Sequence, residues 1–181
     1  MIKKGILLLL VLMSFSMFSQ NRFMTKEGFV SFFSHTLVED IKADNTQVLS
    51  IVDTETGEIA IQLLMRSFQF QKALMQQHFN DSYVESHKFP KAKFSGFIVD
   101  LDSLVNGYTE TQIKGTLNVH GKDKEIEVPV KIYRSADELR ITGVFTVEVA
   151  DFDIKIPAVV RNNIARTIKV SFNLTHEPYK N

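Results

Sequence analysis

Glu125-Ile126-Glu127-Val128-Pro129-Val130-Lys131-Ile132 alternates without a break, with Ile126, Val128, Val130 and Ile132 in one phase and Glu125, Glu127, Pro129 and Lys131 in the other. Successive side chains of a strand point to opposite faces, so this stretch predicts a strand with one buried face and one wet face. Leu139 to Val149, Ile113 to Val119 and Ile168 to Leu174 repeat the pattern. Gly28 to Ser34, Thr46 to Val52, Glu58 to Leu64 and Lys93 to Asp100 are weaker runs of the same kind, giving about eight strands. Pro129 is discordant. It cannot donate to a ladder and so marks a bulge or an unpaired edge.

Short turn sequences separate the runs. Thr56-Gly57, Gly121-Lys122-Asp123 and Ser135-Ala136-Asp137 are each brief enough to close a hairpin. Parallel strands would need long crossovers, so the order is antiparallel. One helix is expected, from about Gln71 to Asn80, where Met75 and Phe79 lie four apart on one edge. Short antiparallel strands with one apolar face each pack as a two-sheet sandwich or as a closed barrel, and period alone leaves both open.

The rest of the composition narrows the function. The chain has 181 residues, 21 basic and 21 acidic side chains, 15 phenylalanines and no cysteine. A balanced charge supplies no global field for gathering nucleic acid. Without cysteine there is no disulfide, thiolate nucleophile or zinc-thiolate site. Lys3 and Lys4 precede an apolar run from Gly5 to Met13, followed by a mixed stretch from Ser14 to Ser19. These are the regions of a secretory leader, too short in apolar length to span a bilayer. The expected division is a signal peptide at 1–19, with cleavage before Gln20, and a single domain at 20–181. The mature protein would be exported and not an integral membrane protein.

No catalytic motif emerges. His35, His78, His87, His120 and His176 show no His-Glu-x-x-His spacing, and there is no Gly-x-Ser-x-Gly elbow or phosphate loop. His35 lies near Glu39 and Asp40, which could orient an imidazole, but a loop histidine beside solvated acids is the plainer account. His120 falls at a strand end on the polar phase and reads as a surface residue. No catalytic residue, metal or cofactor is therefore expected.

Two features stand out. Gly96, Gly115 and Gly143 fall in the apolar phase of three strands. Strand glycines allow bending and close approach; on an inward face they also leave space for a tunnel. Lys155 to Lys169 contains Lys155, Arg161, Arg166 and Lys169 and no acid. It reads either as a solvated loop or as a cationic rim for an anionic head group.

Several segments, taken in order, resemble the YceI-like family, lipocalin-like bacterial proteins associated with polyisoprenoid binding. They are Phe33-Ser34-His35-Thr36 with Val38-Glu39-Asp40-Ile41, Gly57-Glu58-Ile59, Ser67-Phe68-Gln69-Phe70, Lys88-Phe89-Pro90-Lys91-Ala92 running into Phe94-Ser95-Gly96, Gly115-Thr116-Leu117 with Val119-His120-Gly121, and Asp153-Ile154 with Ile156-Pro157. The likeness extends from about Phe29 to Leu174, although the chain lacks the family's commoner aromatic and Asp-x-x-His-Ser opening. It implies an all-β fold, an eight-stranded antiparallel lipocalin-like barrel with one short helical cap segment. It also implies an exported, periplasmic protein with a tunnel for an isoprenoid-like or fatty-acyl amphiphile. On that reading the wall is Phe94, Ile98, Ile113, Leu117, Ile126, Val128, Leu139, Ile141, Phe145, Val170 and Phe172. Phe68, Phe70, Met75 and Phe79 form the cap or entrance, and Lys155, Arg161 and Arg166 are the head-group candidates. The partner is then a hydrophobic small molecule and not nucleic acid, with a homodimer left open. Two rival readings are an enzyme acting on a lipid-like substrate through His35 or His120, and a ligand-free interaction or stress-response barrel with a packed interior.

Overall fold

Alternation of apolar and polar residues carries through most of the chain as strands. The computed structural model describes residues 21–179, and the expected leader at 1–19 lies outside them. The elements are β1 (Arg22–His35), β2 (Asp40–Asp53), β3 (Glu58–Leu64), β4 (Gln69–Phe70), α1 (Ala73–His78), β5 (Lys91–Ile98), β6 (Gly107–Val119), β7 (Lys122–Arg134), β8 (Leu139–Glu148) and β9 (Thr167–Pro178). Eight strands form a ring in the order β1-β9-β8-β7-β6-β5-β3-β2, and antiparallel pairing of β1 with β2 closes it. β4 is a two-residue addition to β2, pairing Phe70 with Ala43 and Gln69 with Asp44. The architecture is the closed barrel, in which every one of the eight strands has a paired neighbour on both sides over at least part of its length.

The hairpin between β6 and β7 shows how local sequence sets register. Val119 pairs with Lys122, and the two residues between them, His120 and Gly121, have φ of 52° and 72°. Positive φ at both central positions is the type I′ arrangement, whose twist matches that of the flanking strands. The same ladder places Pro129 opposite Gln112, on a strand with neighbours on both sides. β7 pairs with β8 only from Val130 to Arg134, however, so the proline sits where that second ladder has ended and no partner awaits its missing N–H.

The glycines act by close approach. Gly96 and Gly115 pair directly across β5 and β6. A Cβ on Gly115 would fall inside the van der Waals shell of the Ser95 carbonyl oxygen, and one on Gly96 would strike the Lys114 carbonyl. At Gly143 a Cβ would stand 2.5 Å from the Phe172 ring. None of the three borders the interior cavity, so the space they leave is filled by backbone and by Phe172 and does not form a tunnel.

The helix is shorter than its sequence pattern. Regular α-helix ends at His78, and Phe79–Tyr83 continues as a π turn. Six residues with no side-chain N-cap are not a stable helix alone. Packing of Met75 and Phe79 onto the barrel interior holds the segment in place.

Candidate functional site

The barrel interior divides into two halves. In the half that holds the start of β1 and the end of β9, Val48, Val52, Ile132, Leu139 and Ile141 are wholly or almost wholly excluded from solvent and pack into a solid plug with Ile98. The other half, beneath α1 and the loops 36–39 and 149–166, holds a cavity of about 350 Å³. Of the residues read as wall, Phe94, Ile113, Leu117, Ile126, Val128, Phe145, Val170 and Phe172 border it, as do Phe68, Phe70, Met75 and Phe79 at the cap. Ile98, Leu139 and Ile141 do not; they belong to the plug. Lys155, Arg161 and Arg166 are exposed and do not reach the cavity.

Four phenylalanines build the cap. Phe32 of β1 has its ring centroid 5.2 Å from Phe68, 5.6 Å from Phe70 and 5.4 Å from Phe79, and Phe70 and Phe79 are 5.0 Å apart. Tilted and edge contacts, with Phe32 and Phe79 stacked, are favourable at these separations beyond the area they bury. The β4 pairing brings Phe68 and Phe70 over the barrel end. Polar ties then fix the surrounding segments. Lys72 Nζ donates to Glu39 Oε1 at 2.7 Å, Asn163 Nδ2 reaches Glu39 Oε2 at 3.5 Å, and the Ala165 N–H donates to Ser34 Oγ at 2.9 Å. The Lys72 hydrogen bond, followed by that from Asn163, holds the Glu39 carboxyl below its ordinary pKa.

A family model for the YceI-like domain matches residues 19–176. The chain belongs to the YceI-like family. Solved structures share its fold at low identity. A polyisoprenoid binding domain from Saccharophagus degradans is 19% identical with a TM-score of 0.77, covering 88% of this chain and 99% of that one. BcnA of Burkholderia cenocepacia is 16% identical with a TM-score of 0.64, over 82% and 95% of the two chains. The Campylobacter jejuni YCEI protein is 13% identical with a TM-score of 0.62, over 81% and 90%. No curated protein matches the chain.

The polar groups of this YceI-like barrel are arranged as ties. His35 Nδ1 lies 2.6 Å from Asp40 Oδ1, with both side chains exposed. His120 departs from its expected surface position: its side chain is only 10% exposed, Nδ1 is 2.9 Å from the Phe152 carbonyl and Nε2 is 3.2 Å from Glu85 Oε2. Neither histidine borders the cavity; His78 does, at the exposed end of α1. Ser50 and His176 form a serine-histidine pair 2.8 Å apart, but both are fully buried away from the cavity, where no substrate reaches them. Among the described residues no cluster of three or more histidines or carboxylates could hold a metal. No helix among them is long and apolar enough to cross a membrane.

Sequence reading missed much of the cavity wall. Val30 and Phe32 lie on β1, where register shifts between Thr25 and Val30 break the alternation. Ile154, Ile156, Val160 and Ile164 come from the irregular loop 149–166, which has no period to read. The one available signal was the density of aliphatic residues spaced among the basic ones.

Proposed function

We propose that the protein is a periplasmic carrier or store for an isoprenoid-like or fatty-acyl amphiphile, held in the capped half of the barrel. The carrying observation is the preformed cavity of about 350 Å³, bordered overwhelmingly by aliphatic and phenylalanine side chains. Ligand sites commonly occupy about 300–1,000 Å³ and are mostly apolar with a few polar groups. The polyisoprenoid binding domain of Saccharophagus degradans, alike in fold, supports the isoprenoid choice. The leader pattern at Lys3 to Ser19 supports export.

The proposed contacts are Phe94, Ile113, Leu117, Ile126, Val128, Phe145, Val170 and Phe172 along the chain of the ligand, with Phe68, Phe70, Met75 and Phe79 above it. His78, Asn163 and Tyr83 border the same cavity and meet the polar end. Burying about a dozen methylenes contributes roughly 10 kcal/mol. Association costs about 4–15 kcal/mol, and a preorganised cavity keeps that toward the lower end. Binding rather than turnover is favoured because His78, the cavity histidine among the described residues, forms no hydrogen bond or ion pair with a nucleophile or carboxylate there.

Mass spectrometry of gently purified protein tests the reading. A co-purifying long-chain species is expected in the parent protein and absent from Leu117→Trp, which fills the cavity. Protein that carries no such species and fails to take up a fluorescent fatty-acyl probe would overturn it.

A further inference from the structure

The capped end of the barrel has a second property that ligand storage does not require. Three segments meet at Glu39: the β1–β2 turn that contains it, the start of α1 through Lys72, and the loop 149–166 through Asn163. Each projects a bare aliphatic side chain into solvent. Leu37 is 102% exposed, Val38 64%, Leu74 62% and Val159 91%. Their neighbours on the same segments, Ile41, Met75 and Val160, line the cavity. Apolar surface therefore continues from the interior onto the outer rim. Scattered exposed aliphatics need no explanation, but four gathered around one opening do.

Charge is distributed along the barrel axis in a matching way. The loops at the plugged end, 54–57, 99–106 and 135–138, contain Glu55, Asp100, Asp102, Asp137 and Glu138 and no basic residue. Only Glu138 among these has a cationic partner within the described residues, Arg140 at 2.6 Å. At the capped end the acids Glu39, Glu85, Asp151 and Asp153 are each paired with a lysine, whereas Lys155, Arg161 and Arg166 form no ion pair among the described residues. Such a separation orients the molecule in an external field and presents the capped end to negative charge.

We infer that the capped end docks on an anionic bilayer surface, with Leu37, Val38, Leu74 and Val159 entering the interface and Lys155, Arg161 and Arg166 meeting the lipid phosphates. This deepens the carrier reading and rests on it for its purpose. A cavity whose rim touches the interface lets a lipid chain exchange without crossing water. Basic side chains near a charged membrane and aliphatics at its headgroup boundary are the two forces that hold interfacial proteins.

Sedimentation of the purified mature protein, residues 20–181, with vesicles tests it, using phosphatidylcholine with and without phosphatidylglycerol. Binding is expected only with phosphatidylglycerol and is expected to weaken as salt rises. The double variant Arg161→Ser, Arg166→Ser should lower the partition coefficient about thirtyfold. Leu37→Ser with Val159→Ser should lower it at least about tenfold. Val105→Ser, an exposed aliphatic at the plugged end, should leave it unchanged. Equal binding to neutral vesicles, or an equal loss in Val105→Ser, would overturn the proposal. So would self-association that Val159→Ser abolishes in the absence of vesicle binding, which would assign the patch to a second copy of the chain. Lipid retention, read by mass spectrometry on the same samples, separates the two ideas. Retention without vesicle binding defeats docking alone, whereas vesicle binding by a protein that never retains lipid defeats the carrier reading alone.

Discussion

His176 Nε2 lies 2.8 Å from Ser50 Oγ in the plugged half of the barrel, while its Nδ1 lies 2.8 Å from the Leu139 carbonyl. One ring thus joins β9, β2 and β8. A carbonyl can only accept, so Nδ1 carries the proton and donates to it, and Nε2 accepts the hydrogen of the Ser50 hydroxyl. The ring is neutral, and burial pushes its pKa down from 6.5 to about 4. This satisfied polar bolt sits among Leu139, Ile141 and Ile132 and helps make a floor under the cavity.

The depressed pKa makes acid stability depend on this residue. Between pH 6.5 and about 4 the unfolded chain takes up a proton at His176 that the folded chain refuses. Protonation therefore favours unfolding, and stability rises with pH across that window. The contribution is undiminished above pH 6.5, falls as the pH drops, and levels off below about 4, for a loss of about 3 kcal/mol. Urea melts at pH 7 and pH 4.5 should show the difference, and His176→Gln should flatten it. An unchanged pH dependence in that variant would place the acid sensitivity elsewhere.

The plug and the cavity should respond differently to truncation. Ile141 is fully buried and contacts protein on all sides, so Ile141→Ala should cost about 2–5 kcal/mol. Leu117 borders the cavity and has already forgone neighbours on one side, so Leu117→Ala should cost under about 2 kcal/mol. Denaturant midpoints at constant m-value decide the comparison.

Period two made β3 readable to its ends and β7, β8 and the inner part of β9 readable in phase, because their inward residues are aliphatic or aromatic almost throughout. β2 was only half legible. Its buried positions include Ala43, Asn45 and Ser50, and Asn45 is inside because its amide donates to the Leu64 carbonyl and its oxygen accepts the Gln47 N–H. Small and polar residues that satisfy one another in the interior look like surface residues in sequence. The same blindness hid His176 and drew Leu139 and Ile141 into the expected wall, since alternation tells which residues face inward but not how far along the axis the interior is filled. Glycine in the inward phase was equally ambiguous, because open space and close backbone approach both call for a missing side chain.

Close approach predicts a ranking among the glycines. Gly115→Ala drives its Cβ into the Ser95 carbonyl and the Gly96 backbone, neither of which can rotate away. Gly143→Ala meets the end of the Phe172 ring and a Val130 methyl, and side chains can shift. Overpacking costs about 1–3 kcal/mol, with Gly143→Ala at the low end and Gly115→Ala at or beyond the high end. Thermal melts of the two variants should differ in that order, and the reverse order would mean that β5 and β6 can separate at this point.

His120 ties the cap to the barrel, and its geometry fixes what should happen when it is removed. Its two nitrogens face the Phe152 carbonyl and the Glu85 carboxylate, both acceptors while Glu85 is ionised. Lys88 and then His120 hold the Glu85 carboxyl below its ordinary pKa, and so the tie is present above that range and is lost as the pH falls through the lowered value. Val84, beside Glu85, and Phe152 both border the cavity. His120→Asn keeps a residue tolerant of the positive φ at the turn and removes the reach to both partners. The barrel should stay folded, while amide hydrogen exchange in the segment 84–90 speeds up severalfold and bound lipid is released faster. Exchange unchanged in that segment would show that packing of Phe89 and Val84 alone keeps the cap seated.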